Sequence, residues 1–363
     1  MTERGQIKRY FSDRGFGFIA WKKEEDVFFH ISNYDEEGTP VEGDWVEFSL
    51  GVGRRGRPAA EGVKKTAPPF IPLDEAHYKI PADTRNVITL KQVDNFYLKL
   101  NRLAYFHKRD SKSGFELLLT DKGDVSYELE PNLSGVNFPA IIARQEKLVE
   151  DLAEETVKIT FIPDGRLIIG LGQPSVYETS LTLHHLYGIP YIPASALKGI
   201  TRSWLLSEVF GQNEEEALRD EAFRQIFGGP KTDNLLAQRG AVRFLDAFPL
   251  EEPKLVFDII NPHYASYYSD PEGKKPPGDY DTPIPIVFLA VEAKAGFGIV
   301  LTVRENAIIQ QGRLAGKRIL DIVAQHLREA LVDQGIGAKT SVGYGYALAG
   351  QNLSPADAKF HTD

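Results

Sequence analysis

The sequence predicts two folds in series: an all-β, five-stranded barrel over residues 1–65, then an α+β domain over residues 84–350. Three observations predict this. The first stretch alternates aromatic and polar side chains with the period of two that strands impose. A proline-rich break, Pro68-Pro69-Phe70-Ile71-Pro72, then stiffens the chain and bars a helix. Beyond it, apolar runs of strand length alternate with helical periodicity, and a glycine-rich stretch from Gly335 to Gly345 stands near the end. The break and its flanks are read as a linker, 66–83, and residues 351–363 as a polar tail.

Strands are predicted at Gln6–Phe11, Arg14–Ala20, Asp26–Ile31 and Trp45–Leu50, with a fifth around Val63 after the basic loop Arg54-Arg55-Gly56-Arg57. This reading gathers Tyr10, Phe16, Phe18, Phe28 and His30 on one face, edged by Lys8, Arg9 and Arg14. A lone Phe in a strand is usually core. Three in register beside Gly15 and Gly17, flanked by cations, suit a stacking platform for unpaired bases.

These residues resemble a cold-shock domain. Arg14-Gly15-Phe16-Gly17-Phe18-Ile19 is similar to the family's first RNP motif and Val27-Phe28-Phe29-His30 to its second. Gly56-Arg57-Pro58-Ala59-Ala60 is similar to its late Gly-Pro-x-Ala segment, so the match runs over residues 3–65. The resemblance implies an OB-type barrel that binds single-stranded RNA or DNA. One departure is Arg9, which stands where the family has a tryptophan. One stacking surface is exchanged for phosphate or cation–π contact.

In the larger domain, Asp94–Asn101 leads into a helical period over Phe138–Leu152. Val157–Ile162 and Arg166–Gly172 are expected to form a hairpin across Pro163-Asp164-Gly165. A helix is expected from Pro193-Ala194-Ser195, with Ser195 as its cap, placing Lys198, Thr201 and Arg202 on one face. Its start offers N–H groups to an anion; the bland alternative is a solvated face opposite a core stripe of Leu197, Ile200 and Trp204. Strand-like runs recur at Arg239–Leu245, Leu255–Ile260, Ile284–Val291 and Gly298–Val303, and Ser269–Thr282 reads as an exposed loop. A helix over 314–331, the glycine loop and a last strand-like run, Tyr344–Leu348, complete the order. That order suits a ferredoxin-like (RRM-like) α+β domain with insertions.

The loop itself is Gly335-Ile336-Gly337-Ala338-Lys339-Thr340-Ser341-Val342-Gly343-Tyr344-Gly345. Its glycines tolerate positive φ, its amides can line an anion site, and Lys339, Thr340 and Ser341 add charge and hydroxyl donors. It is not a Walker A loop, because the lysine lies between the glycine pairs and the loop joins a helix to a strand. The bland reading is a turn that only closes the domain.

Together with Gly170-Leu171-Gly172 and Tyr187-Gly188-Ile189-Pro190-Tyr191-Ile192-Pro193-Ala194-Ser195-Ala196-Leu197-Lys198-Gly199-Ile200-Thr201-Arg202, this loop resembles the RAMP proteins of CRISPR effector complexes. From Asn95 to Leu348 the pattern is similar to the sixth-subunit family of type III-B (Cmr) complexes. Ala194 stands where that family has a glycine, and Lys198 is retained. The resemblance implies an RNA-binding, non-catalytic subunit that caps a guide-RNA filament near the guide 3′ end. Its implied partners are guide crRNA, target single-stranded RNA and neighbouring RAMP subunits, in antiviral defence. It implies RNA contact through Lys198, Arg202, Lys339, Thr340 and the amides at Gly335, Gly337, Gly343 and Gly345.

Two other functions fit parts of the chain. A RAMP-type, metal-independent endoribonuclease would use His184 or His185 as acid or base and Lys198 to stabilise phosphate charge. Adjacent strand residues point to opposite faces, so at most one of the two histidines would serve. A free RNA chaperone led by the barrel would leave the larger domain unexplained.

Composition bounds these readings. The chain has 363 residues, 42% of them hydrophobic, which suffices for more than one core. Its net charge of -9 argues against non-specific nucleic-acid binding, so RNA contact must come from local basic patches or partner subunits. With no cysteine there is no disulfide, thiolate metal site or cysteine nucleophile. Acidic residues are scattered, and no catalytic group, metal or cofactor is expected. No apolar run spans a bilayer and no secretory leader is present, which predicts a cytoplasmic protein.

Overall fold

A computed structural model describes residues 2–22, 25–36, 38–53, 57–66, 73–108, 113–115, 117–121, 124–127, 131–152, 154–231, 236–274, 276, 278, 283 and 285–348. Arg54, Arg55 and Gly56 of the basic loop, the 68–72 break, much of the Ser269–Thr282 stretch and the 351–363 tail lie outside the described residues. The chain divides into two units, Met1–Pro72 and Leu73–Asp363.

The first unit is a closed barrel of five strands in the order β1-β2-β3-β5-β4. These are β1 (Thr2–Phe11), β2 (Phe16–Lys22), β3 (Glu25–His30), β4 (Trp45–Val52) and β5 (Pro58–Lys65). Closure leaves no strand edge to satisfy. Ile7, Ile19, Val27, Phe29, Val46, Phe48, Ala60 and Val63 fill its interior. Every second residue of β3 points inward, so Val27 and Phe29 are buried while Phe28 and His30 are exposed.

In the second unit a four-stranded sheet is organised around one strand. Helix α1 (Phe138–Leu152) precedes β6 (Glu155–Phe161), and helix α2 (Ala194–Phe210) follows it. Then come β7 (Arg243–Phe244), β8 (Phe248–Pro249), the hairpin of β9 (Leu255–Ile260) and β10 (Ile286–Val291), and β11 (Phe297–Val303). Helix α3 (Ile319–Asp333) leads into the glycine loop. All seven residues of β11 are buried, as expected of a central strand covered on both faces. It pairs antiparallel with β6 along its whole length, and with β7 and β8 on its other side. The Tyr344–Leu348 run lies beside the end of β6 through a single bridge, Pro163 to Ala347.

Three expectations are corrected. The 157–162 and 166–172 runs do not form a hairpin. β6 takes β11 as its partner, because a fully buried strand offers a seven-residue register that the short local turn cannot match. Leu167 instead bridges Val291, and the carbonyls of Ile168 and Ile169 accept from the amides of Ala338 and Thr182, each at 2.8 Å. Helix α2 is not capped by Ser195: Pro193 occupies the cap position, and Asp246 Oδ1 accepts from the Ala194 amide at 2.7 Å. Helix α3 starts at Ile319 rather than 314, because Gly316, at φ 84°, closes a turn back onto Ile309.

Candidate nucleic-acid interfaces

On the barrel, a bulge decides which aromatics are presented. The β1–β2 register shifts between Ile7 and Arg9, so Arg9 pairs with Phe18, Tyr10 with Gly17 and Phe11 with Phe16. Directly opposed residues share a face. Phe11, Phe16, Phe18 and Phe28 therefore join: the Phe16 ring lies 5.1 Å from Phe11, 5.9 Å from Phe18 and 5.6 Å from Phe28. Phe28 remains 38% exposed. Tyr10 is corrected out of this face, since it packs on the barrel core and stacks on Phe29 at 6.1 Å. Gly17 makes that packing possible, because a Cβ there would sit 2.5 Å from the Phe29 ring and 2.6 Å from the Arg9 carbonyl.

His30 stands opposite Phe16, its Nδ1 held by the Ser32 hydroxyl at 2.8 Å. Beside it opens a cleft of about 740 Å³ lined by Phe18, Asp26, Phe28, His30, Arg57 and Pro58, among others. Lys8 is tied to Asp26 at 2.8 Å and Arg14 lies 3.6 Å from Asp13, both largely exposed. Arg9 and Arg57 are exposed and form no ion pair among the described residues, so they are the cations best placed for phosphate. Phe11 joins this face and Arg57 lines the cleft, and the sequence reading includes neither among its candidates. Phe11 becomes legible only when the bulge is placed, since strict alternation puts Tyr10 out and Phe11 in.

In the second unit the glycine loop is built mostly of backbone. Gly335, Gly337, Gly343 and Gly345 all have positive φ, as does Lys339 at 62°. A Cβ on Gly345 would lie 2.0 Å from the Ile336 carbonyl, and one on Gly337 would lie 2.3 Å from that of Ile168. These two glycines exist for close approach. Most of the amides expected to line an anion site are used by the fold. Those of Gly335, Ile336, Ala338, Gly343, Tyr344 and Gly345 donate to Ala330, Gly345, Ile168, Thr340, Lys339 and Arg166. The loop's exposed tip runs from Ser341 to Gly343, following the half-buried Lys339 and Thr340.

Lys339 sits over two rings, 5.3 Å from Phe288 and 5.8 Å from Tyr344. Beneath it, Asp258 of β9 accepts from both the Arg166 guanidinium and the Tyr344 hydroxyl. Burial pushes the Asp258 carboxyl up, but the bonds from Tyr344, the Ile259 amide and Arg166 outweigh it and hold it below the ordinary range. The same bonding to Asp258 raises Arg166. Burial, reinforced by the carboxylate, raises the Tyr344 phenol. This network, which no sequence pattern announces, locks the 166–168 segment, β9 and the loop together.

The helix α2 face is divided. Thr201 is fully buried and bonds the Leu197 carbonyl at 2.7 Å. Lys198 donates to the Phe227 carbonyl at 3.1 Å, leaving its other two donors for a ligand. Arg202 pairs with Glu214 at 2.6 Å and lies over the Phe223 ring. The buried stripe is Leu197, Thr201, Leu205 and Phe210, rather than Leu197, Ile200 and Trp204. His184 and His185 lie in a turn, not a strand, so their rings stack side by side at 5.3 Å instead of opposing. His184 also stacks on Tyr187 at 4.5 Å, and its Nδ1 accepts the Tyr187 amide. Burial, with His185 beside it, lowers its pKa. Among the described residues no cluster of His, Cys, Asp or Glu could hold a metal ion. Among them, too, no helix is long and apolar enough to cross a membrane.

A barrel with an aromatic face, followed by a sheet-and-helix domain closed by a glycine loop, defines a class that sequence comparison makes specific. Residues 160–347 match the RAMP superfamily, and residues 3–66 match the 'Cold-shock' DNA-binding domain family. The chain belongs to the RAMP superfamily and carries a cold-shock domain in front of its RAMP region. It is 33% identical over 233 residues to the CRISPR system Cmr subunit Cmr6 of Pyrococcus furiosus, covering 51% of this chain and 65% of that relative. It is 26% identical over 240 residues to the Cmr6 subunit of Saccharolobus solfataricus, covering 65% of this chain and 71% of the relative. The barrel is 42% identical over 64 residues to cold shock protein CspA of Staphylococcus saprophyticus, covering 17% of this chain and 97% of that protein. Among solved structures, a Type III-B Cmr-beta complex bound to cognate target RNA contains a chain that matches with TM-score 0.45 and 23% identity, over 59% of this chain and 65% of its own. Crystalline Cmr6 from Pyrococcus furiosus matches with TM-score 0.31 and 29% identity, over 54% of this chain and 98% of its own.

Proposed function

We propose that this chain is the Cmr6-type subunit of a type III-B CRISPR effector, non-catalytic, with its RAMP unit on guide RNA and its barrel on a single strand. The observation that carries this reading is the pairing of a cold-shock barrel and a RAMP unit in one chain. The RAMP match over 160–347 comes with 33% identity to a Cmr6 subunit. The barrel presents Phe11, Phe16, Phe18 and Phe28 together beside Arg9 and Arg57, which form no ion pair among the described residues. In the RAMP unit, Lys198, Arg202, Lys339, Thr340 and the loop tip supply the guide contacts near its 3′ end. The barrel holds the incoming target RNA or an exposed guide end, with His30, Lys8 and Arg14 at its margin. Tyr10 acts from behind, by supporting Phe29.

The rival endoribonuclease would use His184 or His185 as acid or base; His184 is stacked, half-buried and bonded to the Tyr187 amide, which leaves exposed His185 as its candidate. The test is to purify the tagged chain with its partners from its own cells and sequence the bound RNA. A short, uniform RNA with a repeat-derived end is expected, and the isolated chain should leave RNA intact with or without divalent metal. Mixed cellular RNA would make it a chaperone. Cleavage lost in His184→Ala or His185→Ala would make it a nuclease.

A further inference from the structure

At the opposite end of the sheet from the glycine loop lies a cleft of about 560 Å³, lined in part by Arg239, Arg243, Arg304, Gln238 and Glu305. Strand register separates the two places. Phe161 pairs with Phe297 at the end where β6 runs into the loop-bound turn, and Glu155 pairs with Val303 at the cleft end. Six strand residues at about 3.3 Å each put roughly 20 Å between these ends.

The cleft has one arginine set in place and two left open. Arg243 lies 2.7 Å from Glu154, whose side chain is only 4% exposed, while Arg243 itself is 44% exposed. The other oxygen of Glu154 accepts from the Thr302 hydroxyl at 2.8 Å. A buried carboxylate held at both oxygens orients the guanidinium, and the remaining N–H groups of that planar fork stay available. Arg239, in a two-residue strand, and Arg304, at the end of β11, are exposed. Their side chains have no ion pair or hydrogen-bond partner among the described residues. Scattered surface arginines are ordinary. Three converging on one concavity, in a chain of net charge -9, run against the composition. Glu305 is the one exposed carboxylate among the lining residues.

We propose that this cleft binds the phosphodiester backbone of single-stranded RNA, as a second anion site separate from the glycine loop. Guanidinium forks match phosphate oxygens in pairs, which lysine cannot do. Exposed Gln238 adds a neutral donor and acceptor suited to a ribose hydroxyl or a base edge. The choice of RNA rests on the RNA-binding reading of the chain, while the cleft itself does not. An acidic segment of a neighbouring protein is the competing occupant.

The test uses the full chain and fluorescein-labelled oligouridine over a salt series. Wild type is measured first; if it binds no RNA, the general reading fails before the cleft is tested. The cleft is then isolated in a Phe16→Ala, Phe28→Ala, Lys339→Ala background. There, adding Arg239→Ala and Arg304→Ala should cut low-salt affinity about 10-fold or more and flatten the salt slope by about 1.4, about 0.7 for each phosphate no longer neutralised. Both arginine side chains are exposed and hold nothing in the fold, so thermal unfolding should not change. Arg243 is left alone because its loss would strand Glu154. No RNA binding in the background, or affinity and slope unmoved by the arginine changes, overturns the proposal. An unmoved RNA slope with loss of a neighbouring subunit from the assembled complex also overturns it, and assigns the cleft to an acidic protein segment.

Discussion

The barrel face and the glycine loop are built by opposite means. The barrel face is made of side chains: rings 5.1 to 5.9 Å apart, half-buried at Phe11, Phe16 and Phe18 and exposed at Phe28, on strands whose backbone bonds are already closed into a barrel. The loop uses backbone, and backbone has a prior duty. Every buried N–H must find an acceptor, and in the loop most find one inside the fold. The side chains of the barrel face can therefore be altered without touching the scaffold, whereas the loop is itself scaffold.

The largest test of that contrast is Gly345→Ala. The new methyl would lie 2.0 Å from the Ile336 carbonyl, on a backbone at φ 72°. Forced contact and left-handed conformation together should cost about 3 kcal/mol or more. Hydrogen exchange at the β6 and β11 amides should quicken accordingly, while the barrel amides keep their protection. Gly343→Ala is the control, since open space surrounds that position and only its φ of 92° opposes a side chain, costing about 1–2 kcal/mol. Equal protection in both variants would mean that the loop yields, and the contrast would fail.

Next in size is the network beneath the loop. Asp258→Asn removes the carboxylate that Arg166 and Tyr344 share, at a cost of roughly 1–3 kcal/mol for a partly buried charged acceptor. The sign with pH follows from the depressed carboxyl. Its stabilisation is full above the ordinary value of 3.8 and is lost as pH falls through the lower folded value. Wild type and variant should thus differ most at neutral pH and converge in denaturant melts below about pH 4. A gap that stays constant into acid would show that Asp258 acts by shape rather than charge.

The same contrast explains what could be read from the residues alone. Period-two alternation marked the barrel strands and Phe16, Phe18 and Phe28, because a strand side chain's direction follows from its position. It failed at Tyr10 and Phe11, where a bulge between Ile7 and Arg9 shifts the phase by one. The glycines of the loop were legible as positions needing unusual backbone. Which amides they would leave over was not, since two of the acceptors, Ile168 and Arg166, lie over a hundred residues away in sequence. The 157–172 hairpin failed for the related reason that β11 is a distant but better partner for β6. Ion pairs such as Arg166–Asp258 and Arg243–Glu154 leave no local pattern at all.

The smallest effects separate the two sites by the kind of force each uses. Stacking contributes about 1–3 kcal/mol per base and is nearly indifferent to salt. A phosphate contact is worth less at physiological salt but displaces counterions. Phe16→Ala with Phe28→Ala should weaken single-strand affinity about 10-fold or more at every salt concentration, leaving the slope of log affinity on log salt in place. Lys339→Ala should do the reverse, with a modest loss that shrinks as salt rises and a slope flatter by about 0.7–1. Lys339 lies over the Phe288 and Tyr344 rings, so Lys339→Arg keeps both the charge and the ring contact and should restore the slope. Parallel lines for Lys339→Ala and wild type would mean that the lysine serves the rings beneath it, and that the loop is scaffold only.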